Sequence, residues 1–554
     1  MPSVPVSWWV ASVVMGAVAA VIYTLSPLAV VTAAIVPVLL WAAAAGLPRH
    51  EAKTLWALMG AAIAVRVLTI LVMLLAADHD TQAAAILTGD EAYALSRTLR
   101  VRNFLLGIPG LKYDYFIAFE SYGRTSYLSF MTLLQMLFGP SPYGLRLVNM
   151  LLFLAGAAVL FRFARAAFGH TVAFAALTGI LFLPTLFFWS VSLLKESLYF
   201  ALSAGVLGGV YAVIRAPHTV PRIAAGVGVA AALWALRDMR PGAVYLVGGG
   251  AAIGVLAFVA TASMRRFAIA IVLAVIAAGL LLTRPTVRDR VVNAIDQAAQ
   301  IQLGHVFTAG HSYKTLDEEF YVTWTPDTRL TTGEAARFVI RSIRSFLIEP
   351  WPWRMATRSE LLFLPEHLLW YTALLLSAAG IAGGLRRDRL ATCLLVGIIL
   401  PTAFVVAMTN GNVGTLIRFR GLVWPYVLVL AVAGVRALMP DVEKLSAVSA
   451  SGRLVGRAGG AWSAAVGQSR ALSSWRAFAA RARRLDIREQ FRSIGIALAS
   501  FVVIHLALLQ AVPLSAAPVM PILVWLIAAA LAGLLTAGAA ALARAWHTHP
   551  LRRG

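Results

Sequence analysis

Cysteine and charged residues are both scarce in this 554-residue sequence. The single cysteine, Cys393, lies inside an apolar run, so an intrachain disulfide is excluded. Charged residues make up 13% of the chain and hydrophobic residues 60%, whereas soluble domains carry roughly 25% charged and about 45–50% apolar residues. A soluble globule would have to bury several runs of about 20 apolar residues, which cores rarely contain. We therefore predict an all-α polytopic membrane protein.

Acidic residues are scarcer than basic ones. The chain has 24 Asp+Glu against 47 Lys+Arg, which gives a formal net charge of +23. In a soluble protein this balance would suggest nucleic acid as a partner. In a membrane protein it reflects Lys and Arg in cytoplasmic loops and near anionic headgroups. We therefore expect membrane lipids, and no nucleic acid, among the partners.

Several motifs of well-known chemistries are missing. The sequence contains no P-loop, no GxSxG and no dinucleotide fingerprint between a strand and a helix, which argues against ATP-driven chemistry within this chain. No tight metal-ligand spacing such as HExxH occurs either. We therefore assign no certain cofactor, and a divalent metal stays open as the less favoured alternative for five residues of one long loop: His305, His311, Asp317, Glu318 and Glu319.

Apolar runs of about 17–25 residues predict about fourteen membrane spans. The first run has no preceding Lys or Arg and no clear cleavage site, so we interpret it as a retained helix. Segment 124–143 is short for a span, and we predict that it lies in the outer interface. The predicted spans are 6–24, 27–46, 55–77, 145–161, 171–189, 197–214, 222–237, 241–261, 267–283, 362–384, 390–408, 421–438, 495–513 and 519–545.

The basic residues favour one orientation. With the N-terminus inside, the cytoplasmic loops carry most of the connecting Lys and Arg, as the positive-inside rule requires. The mixed polar loops then lie outside, where a site is expected because loops that only connect helices need no such chemistry. We predict a multi-pass protein of the bacterial plasma (inner) membrane, with both termini cytoplasmic and the active site extracytoplasmic. The inside residues include Arg49, Lys53, Arg162, Arg165, Arg215, Arg222, Arg265, Arg266, Arg386, Arg387 and Arg389.

These spans and loops divide the chain into six parts. Segment 439–494 has ten Lys and Arg against four acids, and its later half can form a basic amphipathic helix on anionic headgroups; docking of a partner is the alternative. The predicted parts are two N-terminal helices (1–54), a transmembrane core (55–283) with a first outer loop at 78–144, an extracytoplasmic loop domain (284–361), further spans (362–438), the basic cytoplasmic segment (439–494) and C-terminal spans (495–554).

Two neighbouring acids, Asp90 and Glu91, follow the third span. Placing a carboxylate near a hydrophobic wall disfavours its charged form, which makes it more basic and suits a general base. Asp78 and Asp80 are better interpreted as solvated acids of a loop than as catalytic acids. Arg66 lies in the middle of the third span, so we expect it to face protein or a wet cavity and to have a partner there.

Cations stand at the outer ends of other spans. Arginine matches phosphate oxygens with two parallel hydrogen bonds, and lysine supplies a point charge. A site that handles a lipid phosphate at the membrane surface needs such groups, although snorkelling arginines are common at helix ends. The predicted phosphate-binding residues are Lys195, Arg237, Arg240, Arg418 and Arg420, and the predicted substrate-binding residues are Tyr93, Glu196 and Asp238.

Three stretches resemble the GT-C glycosyltransferases, which use polyprenyl-phosphate sugars and include the protein O-mannosyltransferases (family 39-like) and the aminoarabinose transferases of lipid A. The first, residues 89–93 (GDEAY), is similar to the acidic signature of the family's first outer loop. The second runs from Ser126 to Gly169, and the third from Pro184 to Glu196. Together they cover roughly residues 85–215, and the likeness is one of pattern more than of identity.

The resemblance implies a GT-C-like fold and a catalytic mechanism. The family's base is an acid of the first outer loop, which corresponds to Asp90, and Glu91 corresponds to the second acid. The base would take a proton from an acceptor hydroxyl or amine, which would attack the anomeric carbon with inversion while the lipid phosphate leaves. The implied partners are a polyprenyl-phosphate-sugar donor and a glycan, lipid or protein acceptor.

Two other functions compete with this one. A polysaccharide polymerase or ligase acting on lipid-linked glycans would depend on outer arginines such as Arg418 and Arg420 and on the 284–361 loop. A transporter or flippase is the less favoured alternative, because such proteins often show paired halves with broken helices at the midplane. Here the polar residues gather at one face instead.

Overall fold

The structure is a computed structural model, and it describes residues 27–76, 88–120, 124–240, 242–325, 328–355 and 358–439. These residues form helices and contain no β-strand; one isolated bridge joins Ser312 to Asn412. The predicted spans 6–24, 495–513 and 519–545 lie outside the described residues. So do Asp78, Asp80 and all but the first residue of the basic segment 439–494.

Nineteen α-helices make up the described chain. They are α1 (Pro27–Ala44), α2 (Arg49–Leu75), α3 (Gly89–Leu105), α4 (Lys112–Phe119), α5 (Ser126–Phe138), α6 (Pro142–Phe168), α7 (His170–Phe182), α8 (Pro184–Val191), α9 (Glu196–Arg215), α10 (Thr219–Leu236), α11 (Gly250–Ala260, entered through a π-helical turn Tyr245–Gly249), α12 (Met264–Leu282), α13 (Pro285–Val306), α14 (Phe320–Thr323), α15 (Thr332–Ile348), α16 (Arg358–Arg387, preceded by a 3-10 turn Pro352–Arg354), α17 (Arg389–Thr409), α18 (Val413–Arg420) and α19 (Trp424–Leu438).

Seven of these helices are long and apolar enough to cross a membrane, and the number reaches ten if each bent pair counts as one span. The seven are α1, α2, α6, α9, α10, the 363–387 part of α16, and α17. This confirms a multi-pass helical protein. Tyr245–Ala260 and α5 are shorter apolar helices, and α5 falls in the segment that the sequence predicted as too short for a span.

One predicted span, 171–189, is bent instead of straight, because it forms the α7–α8 pair with a bend of 61°. The predicted spans 267–283 and 421–438 each form one helix that meets a neighbouring helix at a bend, of 95° between 265–281 and 285–306 and of 62° between α18 and α19. At the first bend Pro184 has no N–H to continue the helical bonding. Arg66 stabilises this bend: its Nη2 donates to the Leu181 carbonyl at 2.7 Å and its Nε to the Ser190 hydroxyl at 2.7 Å. The expectation that Arg66 is buried and partnered is confirmed.

The described chain divides into two compact units. The larger comprises the described residues of Met1–Leu347 and Trp370–Leu438, and the smaller includes Ile348–Leu369. In the smaller unit the His367 ring lies 3.1 Å from the Ile348 carbonyl, and the rings of Trp351 and Trp353 lie 4.7 Å apart.

The core of the larger unit is built on α6, which packs against α1, α2, α7, α8 and α9. Glycines allow the closest helix crossings elsewhere in this unit. A Cβ added at Gly254 of α11 would lie 2.7 Å from the Cα of Leu394 in α17, so only glycine lets these two backbones meet. Residues 284–347, most of the predicted loop domain, form α13, α14 and α15, whose own small core includes Ala299, Phe320 and Phe338.

Candidate active site

The site begins at the first turn of α3. Thr88 caps this helix, since its hydroxyl accepts a hydrogen bond from the Glu91 amide at 3.2 Å. The cap places Asp90 and Glu91 in the first turn, where their charges are favoured by the helix dipole. Consecutive helical residues point about 100° apart, so the two carboxylates face different surroundings.

Glu91 faces the protein interior and is fully buried. Its Oε1 accepts from Arg146 Nη2 at 2.8 Å, from Arg146 Nε at 3.0 Å and from the Leu193 amide at 3.0 Å. One carboxylate thereby joins α3, α6 and the segment between α8 and α9. The catalytic role predicted for Glu91 does not fit this position, because its charge is already balanced by a buried guanidinium away from solvent.

Asp90 faces outward, with 68% of its side chain exposed, and its Oδ2 accepts a hydrogen bond from Arg418 Nη1. Arg418 is held from behind by Glu196, whose Oε1 accepts from Nη2 at 2.8 Å and from Nε at 3.1 Å. The structure thus brings together the acid of the first loop and an arginine 328 positions later in the chain.

Glu196 is the buried centre of this cluster. Its Oε1 also accepts from Arg240 Nη2 at 3.3 Å. Both guanidinium groups lie against the Phe419 ring, with Arg240 at 4.3 Å and Arg418 at 5.4 Å from its centroid. The buried carboxylate therefore orients two arginines, so its predicted role in substrate binding is better described as positioning.

An open cavity of about 240 Å³ lies in front of Asp90 and Arg418. Lys195 lines it and is half-buried, and among the described residues it has no hydrogen bond or ion pair with another side chain. Burial lowers the pKa of the Lys195 ammonium, and the neighbouring Arg240 charge lowers it further. The lining residues are Asp90, Tyr93, Ala94, Thr125, Tyr127, Leu128, Leu193, Leu194, Lys195 and Arg418.

Tyr93 lines the cavity, but its hydroxyl is already occupied. It donates to Glu120 Oε1 at 2.6 Å and accepts from Arg97 Nη1 at 2.6 Å. Burial raises the pKa of the Tyr93 phenol, and the bond to Glu120 adds to the rise. Tyr93 can therefore shape the cavity with its ring while its hydroxyl stays in the protein network.

An apolar groove of about 380 Å³ adjoins this cavity, and Thr125 and Leu128 line both. It lies between α3, α4 and α5. Its other lining residues are mostly apolar, with basic groups among them: Arg97, Thr98, Val101, Leu105, Ala118, Phe119, Arg124, Ser129, Thr132, Leu133 and Met136. A polar cavity and an apolar groove thus meet at the start of α5.

Three predicted site residues lie elsewhere. Arg237 and Asp238 are exposed and face each other at 3.8 Å, in the turn after α10. Arg420 is buried and turns the other way, donating through Nε to the Phe346 carbonyl at 2.8 Å and through Nη2 to the Ser345 carbonyl at 3.1 Å. Two positions along a helix turn the side chain by about 200°, so Arg418 and Arg420 cannot both face the cavity.

Sequence reasoning missed Asn149, a buried residue of α6. Its amide donates to the carbonyls of Trp189 at 3.0 Å, Ser192 at 2.6 Å and Leu194 at 3.1 Å. These bonds hold the non-helical segment that presents Lys195 to the cavity. The sequence did carry a signal, because a polar amide inside an apolar span must find a hydrogen-bond partner there. Arg146 carries a similar signal, since a charged side chain inside a span also needs a partner.

Metal binding finds no support in the described part of the chain. There, no group of three His, Cys, Asp or Glu side chains is arranged so that it could hold a metal ion. Asp317, one of the residues considered for metal binding, instead pairs with Arg341 at 2.6 Å and Arg337 at 3.1 Å.

Comparisons with known proteins give two similar solved structures, while no protein-family model and no curated protein matches the chain. One is ArnT from Cupriavidus metallidurans in the apo state, with 16% identity and a TM-score of 0.38 over 81% of this chain and 73% of that one. The other is the same protein bound to undecaprenyl phosphate, with 15% identity and a TM-score of 0.40 over 88% of this chain and 79% of that one.

Proposed function

We propose that this protein is a membrane glycosyltransferase of the GT-C type, which moves a sugar from a polyprenyl-phosphate donor to an acceptor at the extracytoplasmic face. The observation that carries the proposal is the cavity of about 240 Å³, where an exposed carboxylate, a half-buried lysine and an oriented arginine surround one space. An apolar groove that can hold a prenyl chain opens beside it.

Asp90 is the general base. Its ion pair with Arg418 fixes the carboxylate at the cavity, where it can accept the proton of an acceptor hydroxyl or amine. After the proton transfer Glu196 still balances the charge of Arg418, so the reaction does not leave the guanidinium without a counter-charge. The acceptor oxygen or nitrogen then bonds to the anomeric carbon, and the bond from that carbon to the phosphate oxygen breaks.

Lys195 binds the leaving phosphate. Among the described residues that line the cavity, Lys195 and Arg418 are the cations, and Arg418 is already shared by two carboxylates. The lysine can therefore give its full charge to the phosphate, whose negative charge grows as the bond breaks. The transfer inverts the anomeric centre, since Asp90 is the one acid in the described cavity lining and a double displacement would need a second carboxylate as nucleophile.

The distribution of charge supports the extracytoplasmic placement. The end of the larger unit that carries the cavity has acids and cations in pairs, whereas the opposite helix ends carry mainly arginine. Arg162, Arg165, Arg215, Arg387 and Arg436 end or flank helices there, against the acids Glu51 and Asp388. By the positive-inside rule, the arginine-rich end faces the cytoplasmic side of a bacterial inner membrane.

The test is turnover by the purified full chain in proteoliposomes, with a panel of undecaprenyl-phosphate sugars as donors, glycan, lipid and peptide hydroxyls and amines as acceptors, and release of undecaprenyl phosphate as the readout. Asp90→Asn should lower turnover by about 10²–10⁴-fold while undecaprenyl phosphate still binds, because only proton transfer is lost. Lys195→Gln should weaken binding of undecaprenyl phosphate itself.

Asp238→Asn is the matched control, since Asp238 is an exposed acid at the same end that pairs only with Arg237 among the described residues. It should retain full turnover. Full turnover by folded Asp90→Asn would refute the proposal. If Arg418→Ala were also inactive in that case, the polymerase or ligase function would be favoured instead.

A further inference from the structure

The first turn of α5 lies where the polar cavity of the candidate active site meets the apolar groove. Thr125 and Leu128 line both spaces. Tyr127 lines the cavity, and Arg124, just before the helix, lines the groove. If the prenyl chain of the donor lies in the groove and its sugar lies beside Asp90, its phosphate must lie at this junction, because the phosphate joins the chain to the sugar.

The backbone of this turn has one amide to spare. The Leu128 amide donates to the Thr125 hydroxyl at 3.4 Å, and the Ser126 amide donates to the Asp238 carbonyl at 2.9 Å. The Tyr127 amide has no acceptor among the described residues. The start of α5 therefore offers a free N–H and the positive end of a helix dipole, and both favour an anion.

The hydroxyl of Tyr127 is an independent sign of a ligand. Tyr127 is only 4% exposed, and its hydroxyl makes no hydrogen bond with any described residue. The oxygen is not enclosed by protein either, so it opens to the cavity that the residue lines. A buried tyrosine hydroxyl normally has a partner, whereas packing of the ring would need only phenylalanine. The ring packs in an apolar cluster with Leu28, Leu95, Met131, Leu145 and Leu193.

The surroundings of Tyr127 keep its hydroxyl protonated. Burial raises the pKa of the Tyr127 phenol, and the negative charges of Glu196 and Glu91 raise it further. The hydroxyl is therefore a hydrogen-bond donor at neutral pH. Phosphate oxygens carry negative charge and accept such bonds strongly.

Arg124 adds a cation on the groove side of the junction. It is exposed, and among the described residues it has no hydrogen bond or ion pair with another side chain. The described lining of the groove contains no acid. Snorkelling towards water explains why Arg124 is exposed, but it gives no reason for a cation to stand where the groove meets the cavity. A guanidinium there matches the oxygens of a phosphate.

We propose that the first turn of α5 binds the phosphate of the donor lipid, with the Tyr127 hydroxyl donating to it from the cavity and Arg124 pairing with it from the groove. Lys195, which lines the same cavity, balances the charge that grows on the leaving phosphate. Tyr127 and Arg124 fix where the phosphate lies between chain and sugar. The site rests on the proposed function, since its ligand is the donor of that reaction.

The experiment is equilibrium binding to the purified full chain in detergent, titrated separately with undecaprenyl phosphate, with undecaprenol, which has the same chain and no phosphate, and with inorganic phosphate. We expect undecaprenyl phosphate to bind more tightly than undecaprenol. Tyr127→Phe should weaken binding of undecaprenyl phosphate by about tenfold, as expected for one hydrogen bond to a charged group. Arg124→Gln should weaken it by about fivefold, the upper range for an exposed ion pair. Neither variant should change binding of undecaprenol.

Two matched controls separate this site from a general loss of a hydroxyl or a charge. Tyr426→Phe removes a buried hydroxyl that lies 2.6 Å from the Ser203 hydroxyl and lines neither space. Arg237→Gln removes an exposed arginine at the same end, which pairs with Asp238 and also lines neither space. Both controls should bind undecaprenyl phosphate as the wild type does.

Four results would overturn the inference. Unchanged affinity for undecaprenyl phosphate in either Tyr127→Phe or Arg124→Gln would remove the phosphate from this turn. Equal losses in Arg124→Gln and Arg237→Gln would mean that only surface charge attracts the lipid. An equal loss of undecaprenol binding in Tyr127→Phe would make the hydroxyl structural. Inorganic phosphate that binds as tightly as undecaprenyl phosphate, with the same response to Tyr127→Phe, would make this a site for free phosphate.

The proposed function fails on a different readout, which is full turnover by folded Asp90→Asn. Loss of turnover in Asp90→Asn together with unchanged binding in Tyr127→Phe would therefore leave the glycosyltransferase standing and remove only the site on α5.

Discussion

The buried pair of Glu91 and Arg146 allows a sharp test of which acid of the first loop is catalytic. Both side chains are fully buried, and Glu91 Oε1 accepts two bonds from Arg146 and one from the Leu193 amide. If Glu91 is structural, its loss should appear in the free energy of unfolding. If it is catalytic, its loss should appear in turnover of protein that is as stable as the wild type.

The magnitudes follow from what each substitution leaves behind. Arg146→Leu leaves an unbalanced buried carboxylate and should cost about 3–5 kcal/mol. Glu91→Leu leaves an unbalanced guanidinium and also removes the acceptor of the Leu193 amide, which adds about 1–3 kcal/mol. The double variant removes both charges together and leaves no unbalanced ion, so it should be more stable than either single variant.

The assay is a double-mutant cycle, with unfolding of the purified chain followed in mixed micelles of increasing SDS content. The exposed pair of Arg237 and Asp238, whose nearest charged atoms are 3.8 Å apart, supplies a control cycle with negligible coupling. The reasoning fails if the double variant is destabilised by the sum of the two single losses. It also fails if Glu91→Leu keeps wild-type stability but loses turnover.

Three further predictions concern the cavity. Asn149→Ala should lower kcat/KM by about 100-fold in chain that still elutes as folded protein, because small displacements of binding groups are costly; a lower folded yield with unchanged kcat/KM would contradict this. Burial lowers the pKa of Lys195, so the ammonium loses its proton, and kcat/KM should fall, at a lower pH than for an exposed lysine. Lys195→Arg should move that alkaline decline to higher pH, and an unmoved decline would exclude Lys195 as its source. Arg240→Ala should lower turnover, since it removes one of the two arginines on the buried carboxylate, while Arg237→Ala should leave turnover unchanged.

The sequence predicted those features of the fold that depend on its composition and on the length of its apolar runs. The apolar runs correspond to helices in the described chain, and the segment that was too short for a span forms the 13-residue helix Ser126–Phe138. The choice of Asp90 depended on the resemblance of residues 89–93 to the acidic signature of the GT-C family. Asp90 and Arg418 are 328 positions apart in the sequence, so no periodic pattern could predict that they form an ion pair.

Bends and buried partners were not predictable in the same way. Pro184 is visible in the sequence, but Arg66, which donates to the Leu181 carbonyl close to the 61° bend, is distant in the sequence. Arg420 and Arg418 have the same residue type and nearly the same position. The carbonyl groups at the end of α15 decide that Arg420 turns inward, and nothing in the local sequence marks them.

The active-site end repeats one arrangement at two helix starts. Asp90 and Glu91 begin α3, and Lys195 and Glu196 begin α9. In each pair the first residue lines the cavity and the second is buried against an arginine. The turn of about 100° between neighbouring helical residues separates the side chain that lines the cavity from the side chain that is buried. For these two pairs we therefore expect the first residue to act in the reaction and the second to hold the structure around it.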